Sequence, residues 1–230
     1  AREIRDIYNR VWALIEIAQG LPEQLPELWS EVLTLSRKMK DPHSRAWAFS
    51  ALAQHEPELW TETLTLTKEI KDINMQADVL GEIVRHLPDN QWPEAINIIQ
   101  ALDNTSAQAN VLYVAIHRLP EAYWTDVLSI IQAWEEPVVR AQIMSEVALR
   151  CIPTLWPKVL DIAREIEDTY EKANMMSTLA PHILNLWPEA LSRCREINKP
   201  SLRALVLRQL AKHLPEVRPE VLNTTRETKA

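Results

Sequence analysis

The chain has 230 residues, only two of them glycine and fifteen proline, and carries 25 lysines and arginines against 32 aspartates and glutamates, a formal charge of -7. So little glycine leaves few permissive backbone positions, which argues against strands joined by tight turns and against glycine-rich phosphate loops. The acidic balance, with no basic run, removes the attraction that drives unspecific binding to nucleic acid.

In chain order, the first residues, Ala1 to Asp6, are charged and do not read as a secretory signal. Tyr8 to Gln19 is predicted helical. Beyond it tryptophan recurs at Trp29, Trp60, Trp92, Trp124, Trp156 and Trp187, at intervals of 31, 32, 32, 32 and 31 residues. A fixed period of this length marks stacked repeats, each unit burying its apolar face against its neighbours. Counting each tryptophan as position 0, position 4 holds Leu33, Leu64, Ile96, Leu128, Leu160 and Leu191, and position 10 holds Met39, Ile70, Leu102, Trp134, Ile166 and Ile197. Those intervals form a helical stripe, so each tryptophan is predicted to start a first helix. Next comes Ser30, Thr61, Pro93, Thr125, Pro157 or Pro188. Then, except at Lys158, an acid follows: Glu31, Glu62, Glu94, Asp126 or Glu189. Acids there suit the positive end of the helix dipole.

A second helix is predicted after Asp41-Pro42, Asp72, Asn104, Glu136-Pro137 and Asp168, where an acid or amide suits the N-cap and proline the first turn. It carries alanine at position 17 of every unit, Ala46, Ala77, Ala109, Ala141, Ala173 and Ala204, read as the point of closest helix approach. Position 20 holds Phe49, Leu80, Leu112, Met144, Met176 and Leu207. Proline then ends the helix at Pro57, Pro88, Pro120, Pro153 or Pro215. The expected architecture is all-α: a single repeat domain over 1–230, an α-α superhelix (solenoid) of about six and a half stacked helical hairpins. Complete units are read at about 28–57, 58–88, 89–120, 121–153, 154–184 and 185–215, with partial units at 1–22 and 216–230.

The partial units rest on two alignments. Ile4, Asp6, Leu14, Leu21 and Pro22 match Ile70, Asp72, Leu80, Leu87 and Pro88. Arg218-Pro219-Glu220-Val221-Leu222 restates the start of a first helix with arginine in the tryptophan position, before the polar stretch Asn223 to Ala230. The pattern reads either as a fragment of a longer protein or as natural half-units at the two ends. Val11, Leu14 and Ile15 are expected to lack a full covering unit. Head-to-tail self-association is therefore expected, with the polar tail Thr224 to Ala230 as its weak brake.

The unit resembles the tetratricopeptide repeat. That family's aromatic start, small residue in the second helix, large apolar residue and closing proline correspond to Trp29, Ala46, Phe49 and Pro57. The alanine falls one residue later, the period is shorter, and Leu33 and its equivalents stand where the family has glycine. The units are more similar to the short helical-hairpin repeats of long bacterial, particularly cyanobacterial, regulatory proteins, with a "Trp-Pro-Glu-Ala-Leu" start at Trp187 to Leu191 and a "Leu-Ala-Pro-His" end at Leu179 to His182. The resemblance covers nearly the whole chain. It implies a non-catalytic scaffold for protein–protein interaction and leaves the partner open. A second reading, also from the resemblance, is the regulatory or substrate-recruiting arm of a larger bacterial signalling enzyme. Single-stranded RNA reading, one base per unit, is disfavoured by the acidic charge.

Catalytic signatures are missing: there is no nucleophile elbow, phosphate-cradling loop or zinc-protease helix. Glu135-Glu136 and Glu167-Asp168 read as helix caps. No enzyme activity, cofactor or metal is expected. Histidine recurs at position 26 as His55, His86, His182 and His213, with Arg118 and Arg150 in the other two units. Stacked helices about 8–10 Å apart cannot bring successive histidines to about 2 Å from one zinc ion. These side chains read instead as cations at the carbonyl ends of helices. Cys151 and Cys194 fall at core positions and read as buried thiols in a reducing, cytoplasmic setting. Apolar runs are too short to span a bilayer, so a soluble protein without membrane contact is expected. Trp47 stands where other units have Asp78, Asn110, Gln142 and Asn174, and reads as an exposed anchor.

The candidate binding residues lie on the first helices. Position 5 holds Thr34, Thr65, Asn97, Ser129, Asp161 and Ser192, all short and polar. Position 8 holds Arg37, Lys68, Gln100, Gln132, Arg164 and Arg195, long donors three residues on and so on the same helix face. In tetratricopeptide-type superhelices that helix lines the concave face. Regular donors above small side chains suit an extended peptide or its carboxylates.

Overall fold

The computed structural model describes residues 6–20, 25–183 and 185–227. Among these residues every regular element is a helix. The α-helices are α1 (Ile7–Gly20), α2 (Leu25–Ser36), α3 (Pro42–Ala53), α4 (Trp60–Lys68), α5 (Ile73–His86), α6 (Trp92–Ala101) and α7 (Thr105–Ala115). They continue as α8 (Trp124–Gln132), α9 (Pro137–Arg150), α10 (Trp156–Glu165), α11 (Thr169–Leu179), α12 (Trp187–Arg195), α13 (Pro200–Leu210) and α14 (Arg218–Glu227). Even-numbered helices are the first helices of the hairpins and odd-numbered ones the second.

Local chemistry sets the boundaries. Second helices start where a side-chain oxygen satisfies an orphan backbone N–H. Asp41, Asp72, Asn104 and Asp168 accept from the backbone N–H groups of Ser44, Met75, Ala107 and Glu171 at 2.8, 2.9, 2.8 and 2.8 Å. Glu136 was read as a fifth cap, but it makes no side-chain cap bond, and Pro137 alone sets the first turn of α9. After most second helices proline breaks the pattern, and a single 3-10 turn leads into the next first helix, as at Pro57–Leu59, Pro153–Leu155 and Pro215–Val217. The first helix α2 differs, since it opens at Leu25, one turn ahead of Trp29.

The chain divides into two compact units, residues 1–118 and 119–230. The division coincides with the boundary between two sequence repeats, at Pro120. In the first unit α1, α3, α5 and α7 stack in succession, each hairpin adding its first helix alongside. In the second, α9, α11 and α13 do the same. Each core repeats the same positions: Leu80, Leu112, Met144, Met176 and Leu207 at position 20 are all fully buried, as is Phe49. Trp29, Trp60, Trp92 and Trp124 are buried as well, at the start of the first helices or one turn in. No described helix is long and apolar enough to cross a membrane.

Four expectations are corrected here. Ala46, Ala77, Ala141, Ala173 and Ala204 are buried, but Ala109 is only half-buried. In α7 the buried stripe begins earlier, at Ala107 and Gln108, because the Gln108 amide turns inward to the Leu102 carbonyl at 2.9 Å. Val11, Leu14 and Ile15 are buried rather than left open, since α2 and α3 both pack on α1. The polar stretch after Leu222 is helical as far as Glu227, with Thr224 buried. Trp47 is half-buried, its ring 6.1 Å from that of Trp12, which is itself 6.0 Å from Tyr8.

Candidate interaction face

All twelve position 5 and position 8 side chains are exposed on the first helices or in the turn that ends them. At position 5 the hydroxyls of Thr34, Thr65 and Ser129 donate to carbonyl oxygens one turn back, at 2.9, 2.8 and 2.8 Å. Their protons are thus committed to their own helices, while their oxygens face solvent as acceptors.

The position 8 cations are not bare donors. Each pairs with the acid at position 2 of the next first helix. Arg37 lies 3.5 Å from Glu62, and Lys68 pairs with Glu94. Arg164 grips Glu189 through two hydrogen bonds of 3.1 and 2.8 Å, and Arg195 grips Glu220 at 3.0 and 2.9 Å. These forks hold the Glu189 and Glu220 carboxyls below their ordinary value and raise the two guanidinium groups. Hydrogen bonding from Lys68 likewise lowers Glu94. The pairs are solvent-exposed, so each contributes about 0–1 kcal/mol to stability, with the bidentate ones toward the upper end. They link successive first helices within each compact unit. At Lys158, the one cation at position 2, the residue before it in the series is Gln132, a neutral amide, so no such pair is lost.

A second series escaped the sequence reading. Position 16, near the start of the second helix, reaches back in four hairpins to a carbonyl in the last turn of its own first helix or just past its end. Gln76 donates to Thr67 at 3.0 Å, Gln108 to Leu102 at 2.9 Å, Arg140 to Trp134 at 3.4 Å and Arg203 to Ile197 at 3.1 Å. The chain leaving the first helix is thus tied down from across the hairpin. The signal was present, since Arg10, Arg45, Gln76, Gln108, Arg140, Lys172 and Arg203 are all long donors. Arg45 pairs with Glu69 at the C-cap of α4, and Arg203 pairs also with Glu227 of α14. An open cleft of about 330 Å³ beside α14 is lined by these same groups, Arg195, Arg203, Glu220 and Glu227, with Asn223 and Thr224.

The recurring histidines serve packing more than helix charge. His55, His182 and His213 lie against the tryptophan of their own unit, with ring centroids 4.2, 4.6 and 5.5 Å apart for Trp29, Trp156 and Trp187. His86 departs from this, with Nε2 3.5 Å from Glu82. Arg118 does act at a helix end, donating to the Arg85 carbonyl in the last turn of α5. Both cysteines are buried, and burial pushes the thiols of Cys151 and Cys194 up to about 11 and about 12. Among the described residues no group of three or more His, Cys, Asp or Glu side chains could hold a metal ion.

No protein-family model matches the chain. No curated protein matches it either. Among solved structures the chain is similar to the crystal structure of Ton1535 from Thermococcus onnurineus NA1, with 16% identity, a TM-score of 0.42, and coverage of 97% of this chain and 92% of that one.

Proposed function

We propose that this chain is a non-catalytic protein–protein interaction scaffold that binds an extended peptide segment of its partner on the face formed by the first helices. Each compact unit presents its own stretch of that face. The observation that carries the reading is the exposure of all twelve position 5 and position 8 side chains, one pair per repeat. An extended main chain offers alternating N–H and carbonyl groups. The hydroxyl oxygens of Thr34, Thr65 and Ser129 suit the former, and the amides of Asn97, Gln100 and Gln132 suit either. Carboxylates on the ligand are recognised in competition with Glu62, Glu94, Glu189 and Glu220, which already hold the cations. The similarity to helical-hairpin repeats of bacterial regulatory proteins, and a cytoplasmic setting, belong to the same proposal.

The competition supplies the test. The 230-residue chain is probed on an array of extended peptides with and without aspartate and glutamate. Two double variants are compared with the parent: Arg164→Ala with Arg195→Ala, and Glu189→Gln with Glu220→Gln. The first should weaken capture of acidic peptides about tenfold, a change of about 1.4 kcal/mol. The second releases the arginines and should strengthen it. Thermal melts separate binding from folding, each lost surface pair costing at most about 1 kcal/mol. Capture of acidic peptides unchanged in both variants would remove this face as the binding site.

A further inference from the structure

One repeat departs from the charge pattern of the first-helix face. Position 5 is neutral in Thr34, Thr65, Asn97, Ser129 and Ser192, and carries a charge only in α10, at Asp161. The other position 8 cations are balanced one to one, Arg37 by Glu62, Lys68 by Glu94 and Arg195 by Glu220. Arg164 instead stands between two carboxylates. Its Nε and Nη2 atoms fork Glu189 at 3.1 and 2.8 Å, which leaves Nη1 toward Asp161, 3.6 Å away. Asp161 is the looser partner, its side chain 73% exposed against 31% for Glu189. One turn on lies Glu165, four residues from Asp161 and so on the same side of the helix. The other glutamates at position 9, Glu69 and Glu196, are paired with Arg45 and Arg193. Glu165 is exposed and has no ion pair among the described residues, and Lys158, a turn before Asp161, has none either. Two like charges at this spacing repel, and a cation from outside the chain would relieve both.

We infer that Asp161 sets the charge of the bound segment at α10: the peptide carries an arginine or lysine there, which Asp161 and Glu165 take together. The inference rests on the first-helix face being the binding site. A ligand carboxylate at the same place would meet both acids and have to displace Glu189 from Arg164. At α12 the preference reverses, because Ser192 is neutral and Arg195 has a single carboxylate, Glu220, to exchange for the ligand's. The Arg164–Glu189 fork places α10 and α12 side by side. Packed helices lie about 8–10 Å apart and an extended chain advances about 3.3 Å per residue, so peptide residues about three apart meet successive first helices. The segment recognised by the second compact unit therefore has a basic and an acidic residue at about that spacing. Arginine suits the basic place best, since its planar fork can hold a carboxylate with two hydrogen bonds.

Fluorescence anisotropy with labelled serine–threonine peptides tests it. Each peptide has one glutamate and, about three residues away, either arginine or glutamine, and both chain directions are made. In the better direction the parent chain should bind the arginine peptide about fivefold more tightly than the glutamine one, the scale of an exposed ion pair. Asp161→Ser gives α10 the residue found at position 5 in the hairpins on either side, Ser129 and Ser192. It should cut the preference, and adding Glu165→Gln should abolish it, with binding of the glutamine peptide unchanged. Both changes fall on exposed side chains, so thermal melts should match the parent's. Equal binding of the two peptides by the parent, or a preference that survives the double variant, would overturn the inference and leave the face standing. Binding of neither peptide would overturn it together with the face.

Discussion

Replacing Ala141 with leucine tests the helix packing at a position closed to solvent. Ala141 lies at position 17 of α9 and is 0% exposed, so three added carbons have no surface to move toward. Forcing them into a filled contact costs about 1–3 kcal/mol through displaced neighbours and unfavourable rotamers. For a compact unit of this size that corresponds to a fall in melting temperature of roughly 4–12 °C. The same change at Ala109 makes the control. It occupies the same position in sequence, but in α7 it is half-buried, and its new side chain can turn outward. The expected cost there is within about 0.5 kcal/mol. Urea melts followed by far-UV circular dichroism measure both, with each compact unit fitted as its own transition because two-state behaviour is not assured for a divided chain. A parent-like melt for Ala141→Leu would refute the packing assigned to α9. Equal losses at both alanines would refute the different burial of α7.

Acid should loosen the chain through the inter-helix ion pairs. Glu94, Glu189 and Glu220 are held below the ordinary 4.5 by Lys68, Arg164 and Arg195, so their contribution is present above that value and is lost as pH falls through the depressed folded values. Burial raises Glu171, which acts in the opposite sense, but it stands alone against those three and Asp41, which hydrogen bonds from Ser44 hold below its ordinary value. Urea midpoints should therefore hold steady above pH 4.5 and fall below it, and the Glu189→Gln, Glu220→Gln variant should show a shallower fall; an identical slope in that variant would contradict the assignment. The thiols of Cys151 and Cys194, buried and raised to about 11 and about 12, should resist a disulfide reagent near pH 8 until denaturant is added. Reaction of the native chain at the rate of a free thiol would place them at the surface instead.

The repeat was legible because tryptophan, alanine and the capping acids each sit at one position and each has a local cause. Asp41, Asp72, Asn104 and Asp168 act where a short side chain meets its own backbone three residues on, and that distance is set by the chain itself. Contacts between units were harder to see. Arg164 and Glu189 are 25 residues apart, and their pairing follows only once α10 and α12 are known to be neighbours. The twelve side chains of the donor stripe are exposed, while its four cations, bare when the helices are taken singly, are paired across them. Position 16 was missed for a similar reason, since Gln108 is polar and its inward turn depends on where α6 ends. A single helix taken alone suggests a helix-end role for the histidines; the tryptophan that His182 stacks on belongs to the other helix of the hairpin.

The most direct test of the central claim, that the partner lies along the first helices, is hydrogen–deuterium exchange of the 230-residue chain with and without the strongest acidic peptide from the array. Backbone amides of α10 and α12, with their ion-paired Arg164 and Glu189, should slow on binding. Those of α11 and α13 should be unchanged. Protection confined to α11 and α13, with α10 and α12 exchanging as in the free chain, would contradict the account and move the binding surface to the second helices.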